Sequence, residues 1–108
     1  MAYDLALSTW LQTALKNQPV TVKKMFGGVA FLLYGNMLVG VTGDNLIARV
    51  GPTNYEACLS RPHTKPFDMT GRPMSGWVEV MPSGFREDRE LFEWINFCLE
   101  FNKTLPPK

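Results

Sequence analysis

Apolar residues recur at helical spacing near both ends of the chain. Those from Tyr3 to Leu15 share one side of a helical wheel, and polar residues occupy the other side. This pattern predicts an amphipathic helix that Asn17 and Pro19 end. A second region of helical spacing, over residues 87–103, predicts a long helix near the C-terminal end.

Runs rich in β-branched and aromatic residues replace the helical spacing after the first helix. Between two of these runs, Gly35-Asn36 is a two-residue signal for a tight hairpin turn. Further on, Gly51-Pro52 favours the start of a short helix over residues 53–59, because proline suits the first helical position. The runs before this helix predict an antiparallel meander over residues 20–25, 29–34, 38–41 and 46–50.

Two more strands are predicted after the short helix. The segment Phe67-Asp68-Met69 is typical of a short edge strand, and Gly76 to Val80 of a longer strand. The predicted order is α-β(3-4)-α-β(2)-α, with three or four strands before the middle helix. This is an α+β domain with helices packed on an antiparallel sheet. A chain of 108 residues with 45% apolar composition forms one such domain, over residues 1–108.

The last predicted helix has an apolar surface that is wider than one sheet requires. Its apolar residues span roughly 220° of the helix circumference, whereas a helix that covers a sheet needs a stripe somewhat over about 100° wide. We therefore expect Phe92, Phe97 and Phe101 to face a second protomer in a homodimer. The alternative is that neighbouring loops and the first helix cover these rings.

Charge and hydropathy exclude several classes of function. The net charge is +1, so direct binding to nucleic acid is not expected. The longest apolar run, Gly27 to Tyr34, is far shorter than the roughly 20 residues that cross a bilayer. The first residues lack the basic region of a signal peptide, so a cytoplasmic protein without membrane contact is expected.

The two cysteines, Cys58 and Cys98, each fall at helical spacing among apolar neighbours. Neither belongs to a Cys-x-x-Cys motif. We expect reduced core thiols, because a free cysteine behaves as a small hydrophobic residue. A disulfide or a redox role is the alternative. A single histidine leaves a zinc site short of nitrogen ligands, so neither a metal nor a cofactor is expected.

The segment from residue 61 to residue 74 combines three prolines with cations, and three hypotheses fit it. In the first it is a stiff connector. In the second it is catalytic, with His63 as a general base that Asp68 orients, or with a nucleophile from Ser60, Thr64 or Thr70. In the third hypothesis its cations bind an anion such as a phosphate, a carboxylate or an acidic segment of a partner. The cations concerned are Arg61, His63, Lys65 and Arg72.

Seven short segments between Met25 and Val80 combine glycine, proline and cations in a specific order. They are Met25–Phe31, Gly35–Met37, Arg49–Pro52, Arg61–His63, Pro66–Asp68, Thr70–Met74 and Gly76–Val78. In this order the chain resembles the N-terminal domain of TfoX/Sxy-type bacterial proteins, and the flanking helices are similar as well. The resemblance implies an α+β domain with a three-stranded meander between the first two helices.

The resemblance also implies a kind of function. Better-known members of the family regulate natural competence together with a cyclic-AMP receptor protein, and they carry a second, C-terminal helical domain that is not expected in this chain. The family offers no established active-site residues. We therefore expect a non-enzymatic regulatory or protein-interaction domain with no catalytic residues, homodimeric, with a transcription regulator as candidate partner. The alternative is a binding protein, or an enzyme, for a small anionic ligand held by Arg49, Arg61, His63, Lys65 and Arg72.

Overall fold

The computed structural model describes residues 5–25, 27–68 and 73–107. Three α-helices and six β-strands follow one another in the predicted order, α-β-β-β-β-α-β-β-α. The bounds are α1 Leu5–Ala14, β1 Val20–Met25, β2 Gly28–Leu33, β3 Asn36–Thr42, β4 Asn45–Arg49, α2 Pro52–Leu59, β5 Thr64–Asp68, β6 Pro73–Val80 and α3 Asp88–Asn102, with a 3₁₀ turn at Pro82–Gly84. The predicted α+β class is confirmed.

The strands form one antiparallel sheet in the order β1-β2-β3-β4-β6-β5. Four strands precede α2, as the pattern of apolar runs predicts, whereas the family resemblance implies three. After α2 the chain adds β6 to the free edge of β4 and leaves β5 outermost. Arg49, the last residue of β4, thereby comes to lie directly opposite Trp77 of β6.

The hairpin between β2 and β3 turns one residue earlier than predicted. Leu33 pairs with Asn36, so the two turn residues are Tyr34 and Gly35, with φ angles of +54° and +83°. Positive φ at both positions is the geometry of a type I′ turn. The predicted Gly35-Asn36 turn is wrong because Asn36 is buried in β3, and its Nδ2 donates a hydrogen bond to the carbonyl of Pro106 at 3.0 Å.

The edge strand β5 begins at Thr64, three residues earlier than predicted, and ends at Asp68. The predicted end at Met69 lies outside the described residues. Pro66 favoured a connector in the sequence analysis, because proline has no N–H to donate to a neighbouring strand. An outermost strand tolerates proline, since one of its sides has no strand to pair with.

All three helices pack on one side of the sheet. Leu11 of α1, Cys58 of α2 and Leu91 of α3 belong to the same buried cluster as Phe31 and Val39 of the sheet. The long helix begins with a capping box, in which the side chains of Glu87 and Glu90 accept hydrogen bonds from each other's backbone N–H groups. Burial of this shared cluster supplies most of the stabilisation that a small domain obtains on folding.

The second side of the sheet carries a smaller cluster of its own. Its members include Ala30, Ile47 and Phe67, with Trp77 packed against them, and no described helix residue belongs to it. Side chains alternate between the two sides along a strand, so Arg49, two positions after Ile47, emerges on this second side. The sheet therefore places a cation beside the half-buried ring of Trp77.

Every helix within the described residues is too short or too polar to traverse a lipid bilayer.

Candidate functional site

The Arg49 side chain lies over two aromatic rings. Its guanidinium carbon is 4.9 Å from the centre of the Trp77 ring and 5.4 Å from the centre of the Phe101 ring. These three residues are called the Arg49 cluster below. Each contact is a cation–π interaction, which contributes about 0.5–1 kcal/mol at a partly exposed site. Burial lowers the pKa of Arg49, because desolvation penalises the charged form, yet an arginine remains a cation in proteins.

Two glycines create the space for the Arg49 cluster. Gly51 has a φ of +86°, and a Cβ at this position would overlap the Phe101 ring, 2.7 Å from its Cγ. Gly76 has a φ of +89°, and its carbonyl accepts hydrogen bonds from the backbone N–H groups of Val50 and Gly51 at 2.8 and 3.1 Å. Glycine adopts these φ angles without strain. The last turn of α3 therefore packs against Gly51, just after the end of β4, where β4 pairs with the middle of β6.

Arg61, just after α2, is also placed over two rings. Its guanidinium carbon is 5.1 Å from the centre of the Trp94 ring and 5.6 Å from the centre of the Phe97 ring. In addition, one guanidinium nitrogen donates a hydrogen bond to Oε1 of Glu93 at 2.7 Å. These four residues are called the Arg61 cluster. Phe97 and Phe101 are one helical turn apart, so the two clusters cover successive turns of α3.

Among the described residues, His63 and Lys65 belong to neither cluster. His63 has an exposed side chain and a φ of +65°, and its carbonyl accepts a hydrogen bond from the backbone N–H of Met81 at 2.9 Å. Together with Arg61 it lines a cavity of about 90 Å³. Lys65 is exposed on β5, where its partner in the register is Glu79 of β6. Arg72 lies outside the described residues.

The hydroxyls near His63 make local backbone contacts. Ser60 Oγ donates a hydrogen bond to the carbonyl of Ala57 at 2.8 Å, and Thr64 Oγ1 lies 2.8 Å from the carbonyl oxygen of Arg61. Such bonds stabilise the end of a helix and the turn after it. Thr70, the third hydroxyl considered for catalysis, lies outside the described residues. The arrangement fits a structural connector at Ser60 and Thr64.

The three rings assigned to a dimer interface differ in accessibility. Phe92 is 44% exposed, whereas Phe97 and Phe101 are half-buried beneath Arg61 and Arg49. Side chains of the same chain therefore cover part of the wide apolar surface of α3. Sequence analysis does not reveal this, because the two arginines are far from these rings along the chain.

A groove of about 720 Å³ lies along the C-terminal half of α3, and Arg49 is not among its lining residues. Its lining includes Leu33, Tyr34, Asn96, Leu99, Glu100 and Lys103. A second concavity of about 330 Å³, beside Arg61 and Phe97, shares Asn96 and Glu100 with it, so the two adjoin on the helix. Tyr34 is 56% exposed, and Phe92 lies one turn before Asn96. We call this surface the α3 groove; the sequence analysis did not predict it.

Both cysteines are free and buried, so the prediction of core thiols is confirmed. Burial raises the pKa of Cys58 to about 11, and the nearby positive charge of Arg61 opposes this increase. Burial also raises the pKa of Cys98, which the backbone N–H of Arg49 opposes by hydrogen bonding. A buried neutral thiol reacts slowly, because the thiolate is the nucleophile. No three His, Cys, Asp or Glu side chains of residues 5–25, 27–68 and 73–107 form a metal-binding group.

Comparison with known proteins identifies one family. The family model described as the TfoX N-terminal domain matches residues 7–102. That range includes both arginine clusters and most of the α3 groove. Neither the curated proteins nor the solved structures contain a significant match to the chain.

Proposed function

The chain belongs to the TfoX N-terminal domain family, and on this basis we propose that it is a non-enzymatic regulatory domain that acts by contacting other proteins. The observation that carries the proposal is the α3 groove, an extended concave surface with exposed aromatic side chains at its borders. Tyrosine and phenylalanine are enriched in protein interfaces, because they bury a large area with little loss of conformational entropy.

The occupant that we propose for the α3 groove is a second copy of the chain. Glu100 and Lys103 both line the groove, so two identical surfaces can meet with opposite charges facing each other. The net charge of +1 opposes self-association only weakly. Of the three phenylalanines predicted to lie at a dimer interface, Phe92 is the most exposed, and Phe97 and Phe101 contribute only the parts that the arginines leave uncovered.

In this proposal a transcription regulator is the protein on which the homodimer acts, as the role of better-known family members in natural competence implies. Direct contact with DNA is not part of the proposal. A protein with a net charge of +1 lacks the excess of cations that gives sequence-independent affinity for duplex DNA.

The solution mass, measured by light scattering over a hundredfold range of concentration, tests the homodimer. We expect a dimer for the natural sequence and dissociation for Phe92→Gln, because this change removes an exposed ring beside the groove. Leu5→Gln is the matched control. Leu5 is also an exposed apolar residue in a helix, at 51%, and it does not line the groove. A monomer of the natural protein at every concentration would refute the homodimer, and equal masses for the two variants would refute the place of Phe92 in its interface.

A further inference from the structure

The Arg49 guanidinium has no acceptor for its hydrogen bonds within the part of the chain that the structure describes. The hydrogen bonds and ion pairs of residues 5–25, 27–68 and 73–107 include none from this side chain. Arginine has five N–H donors, and folded proteins rarely leave buried donors without a partner. None of the described side-chain nitrogen atoms is both buried and without a partner, so the free N–H groups of Arg49 reach the surface.

We propose that the Arg49 cluster binds the oxyanion group of a small molecule, a carboxylate or a phosphate, through these free N–H groups. The planar guanidinium matches both groups, because two parallel N–H groups can donate to two oxygens of one anion. The aromatic rings contribute no acceptor of ordinary strength, so they hold the cation without occupying its donors.

Packing and backbone hydrogen bonds restrict the Arg49 cluster before any ligand arrives. Gly51 fixes the position of the Phe101 ring, and the backbone hydrogen bonds to Gly76 fix the strand that carries Trp77. A long arginine side chain loses up to about 2 kcal/mol of rotamer entropy when it is immobilised. Because the rings already restrict Arg49 in the folded protein, less of this cost remains to oppose binding.

Two carboxylates that lie near the Arg49 cluster along β6 and α3 are engaged elsewhere. Glu79 is two positions from Trp77 on the same side of β6, and its Oε2 accepts a hydrogen bond from Asn45 Nδ2 at 2.6 Å. Glu100 precedes Phe101 in α3, but it lines the α3 groove. The cation is therefore not neutralised by these two neighbours, and an anion from solution can approach it.

The Arg61 cluster supplies an internal control for this proposal. It also consists of an arginine over two rings, but here Glu93 already supplies a carboxylate that accepts a hydrogen bond from the guanidinium. An oxyanion from solution would have to displace Glu93, which is held close in space on the same protein. We therefore expect anions to bind at Arg49 and not at Arg61.

The test is a titration followed by the NMR signals of the three indole N–H groups. Inorganic phosphate and sodium acetate are the two probes, and sodium chloride at equal ionic strength is the reference. The Trp77 signal is expected to move and to saturate at roughly millimolar concentrations, as one charge-assisted contact allows. The signals of Trp10 and Trp94 are expected to stay, since their N–H groups are bound to Asp88 and to the carbonyl of Gly84.

Variants assign the binding to Arg49. Arg49→Lys keeps the charge but loses the planar pair of donors, so we expect affinity to fall about tenfold. Arg61→Lys is expected to bind as the natural protein does. Arg49→Gln, which also removes the charge, should abolish the saturable shift. Tighter binding of phosphate than of acetate assigns a phosphate ligand, and the reverse order assigns a carboxylate.

Three results would overturn the proposal: no saturable movement of the Trp77 signal with either probe, equal movement with chloride, or unchanged affinity in both Arg49 variants. None of these outcomes depends on the oligomeric state, so the homodimer and the anion site can fail independently.

Discussion

Arg49 and Arg61 have similar aromatic surroundings but different polar ones. Each guanidinium lies over two rings, which are Trp77 of β6 and Phe101 of α3 for Arg49, and Trp94 and Phe97 of α3 for Arg61. Arg61 also binds Glu93 at 2.7 Å, whereas the carboxylate of Glu79, near Arg49 on the sheet, binds Asn45 instead. The Arg61 cluster thus contains its own carboxylate, while the donors of Arg49 have no acceptor among residues 5–25, 27–68 and 73–107.

This difference separates a structural role from a binding role. A cation with its own carboxylate joins two parts of one chain, as Arg61 joins the end of α2 to α3. A cation with free donors loses hydration on burial without a compensating ion pair, which costs free energy. The desolvation that lowers the pKa of Arg49 is the same effect. A ligand that supplies the missing oxyanion recovers this energy.

Of the substitutions proposed here, Gly51→Ala is expected to lower the free energy of unfolding most. It acts on the Arg49 cluster and not on the Arg61 cluster. A Cβ would meet the Phe101 ring, and alanine is strained at a φ of +86°, so we predict a loss of about 3 kcal/mol in the free energy of unfolding. Urea denaturation measures this loss. Gly43→Ala is the control, since Gly43 has a φ of +57° and open space around it, and strain alone costs about 1 kcal/mol. Equal losses would mean that Phe101 does not pack on Gly51.

Replacing each arginine by methionine is the next test. Arg61→Met removes an ion pair and is expected to cost about 1 kcal/mol, because both side chains are more than one-third exposed and solvent weakens their attraction. Arg49→Met is expected to change stability by less than about 0.5 kcal/mol, since methionine keeps aromatic contacts and removes an unpaired cation. Denaturation curves of both variants provide the values. A larger loss of stability for Arg49→Met than for Arg61→Met would contradict the distinction between the two arginines.

The smallest predicted effect concerns the two thiols. Burial raises the pKa of Cys58 to about 11, above its ordinary value of 9.0, so the folded state holds this proton more tightly than the unfolded state. The resulting stability is complete below about pH 9 and is lost as the pH rises towards about 11.

Arg61→Met removes the charge that opposes this increase, so it should move the ionisation of Cys58 to higher pH. Arg49→Met should not affect Cys98, because Arg49 acts on that thiol through its backbone N–H. The ¹³Cβ chemical shifts of the cysteines against pH report both ionisations. These assignments would be contradicted if Arg49→Met changed the pKa of Cys98 and Arg61→Met left the pKa of Cys58 unchanged.

Local sequence patterns predicted most of the fold. The bounds of β1 agree with the apolar run over residues 20–25, and α2 begins at the proline that signalled it. The four-strand meander followed from turn residues between short apolar runs. The errors lie where tertiary contacts override local preference. Asn36 lies not in the turn but in β3, where its side chain donates a hydrogen bond to the carbonyl of Pro106. Pro66 lies in β5, which tolerates proline because that strand is outermost.

The candidate sites were predicted only in part. The sequence indicates Arg49 and Arg61 as candidate anion-binding residues, but it does not separate them into two sites. Their separation depends on the strand register that pairs Arg49 with Trp77 and on the packing of α3, which brings in Phe101 and Glu93. Neither the strand register nor the packing of α3 can be predicted from a short segment of the sequence. The helical spacing indicates the wide apolar surface of α3, but it does not indicate that two arginines cover two of its rings.

The most direct test of the distinction between the two arginines is the stabilisation of the folded protein by phosphate. A ligand that binds only the folded state at ten times its dissociation constant adds about 1.4 kcal/mol to the free energy of unfolding. We predict this increase for the natural protein and for Arg61→Met, and none for Arg49→Met, with sodium chloride at equal ionic strength as the reference. An equal response of all three proteins, or a loss of the response in Arg61→Met alone, would contradict the account.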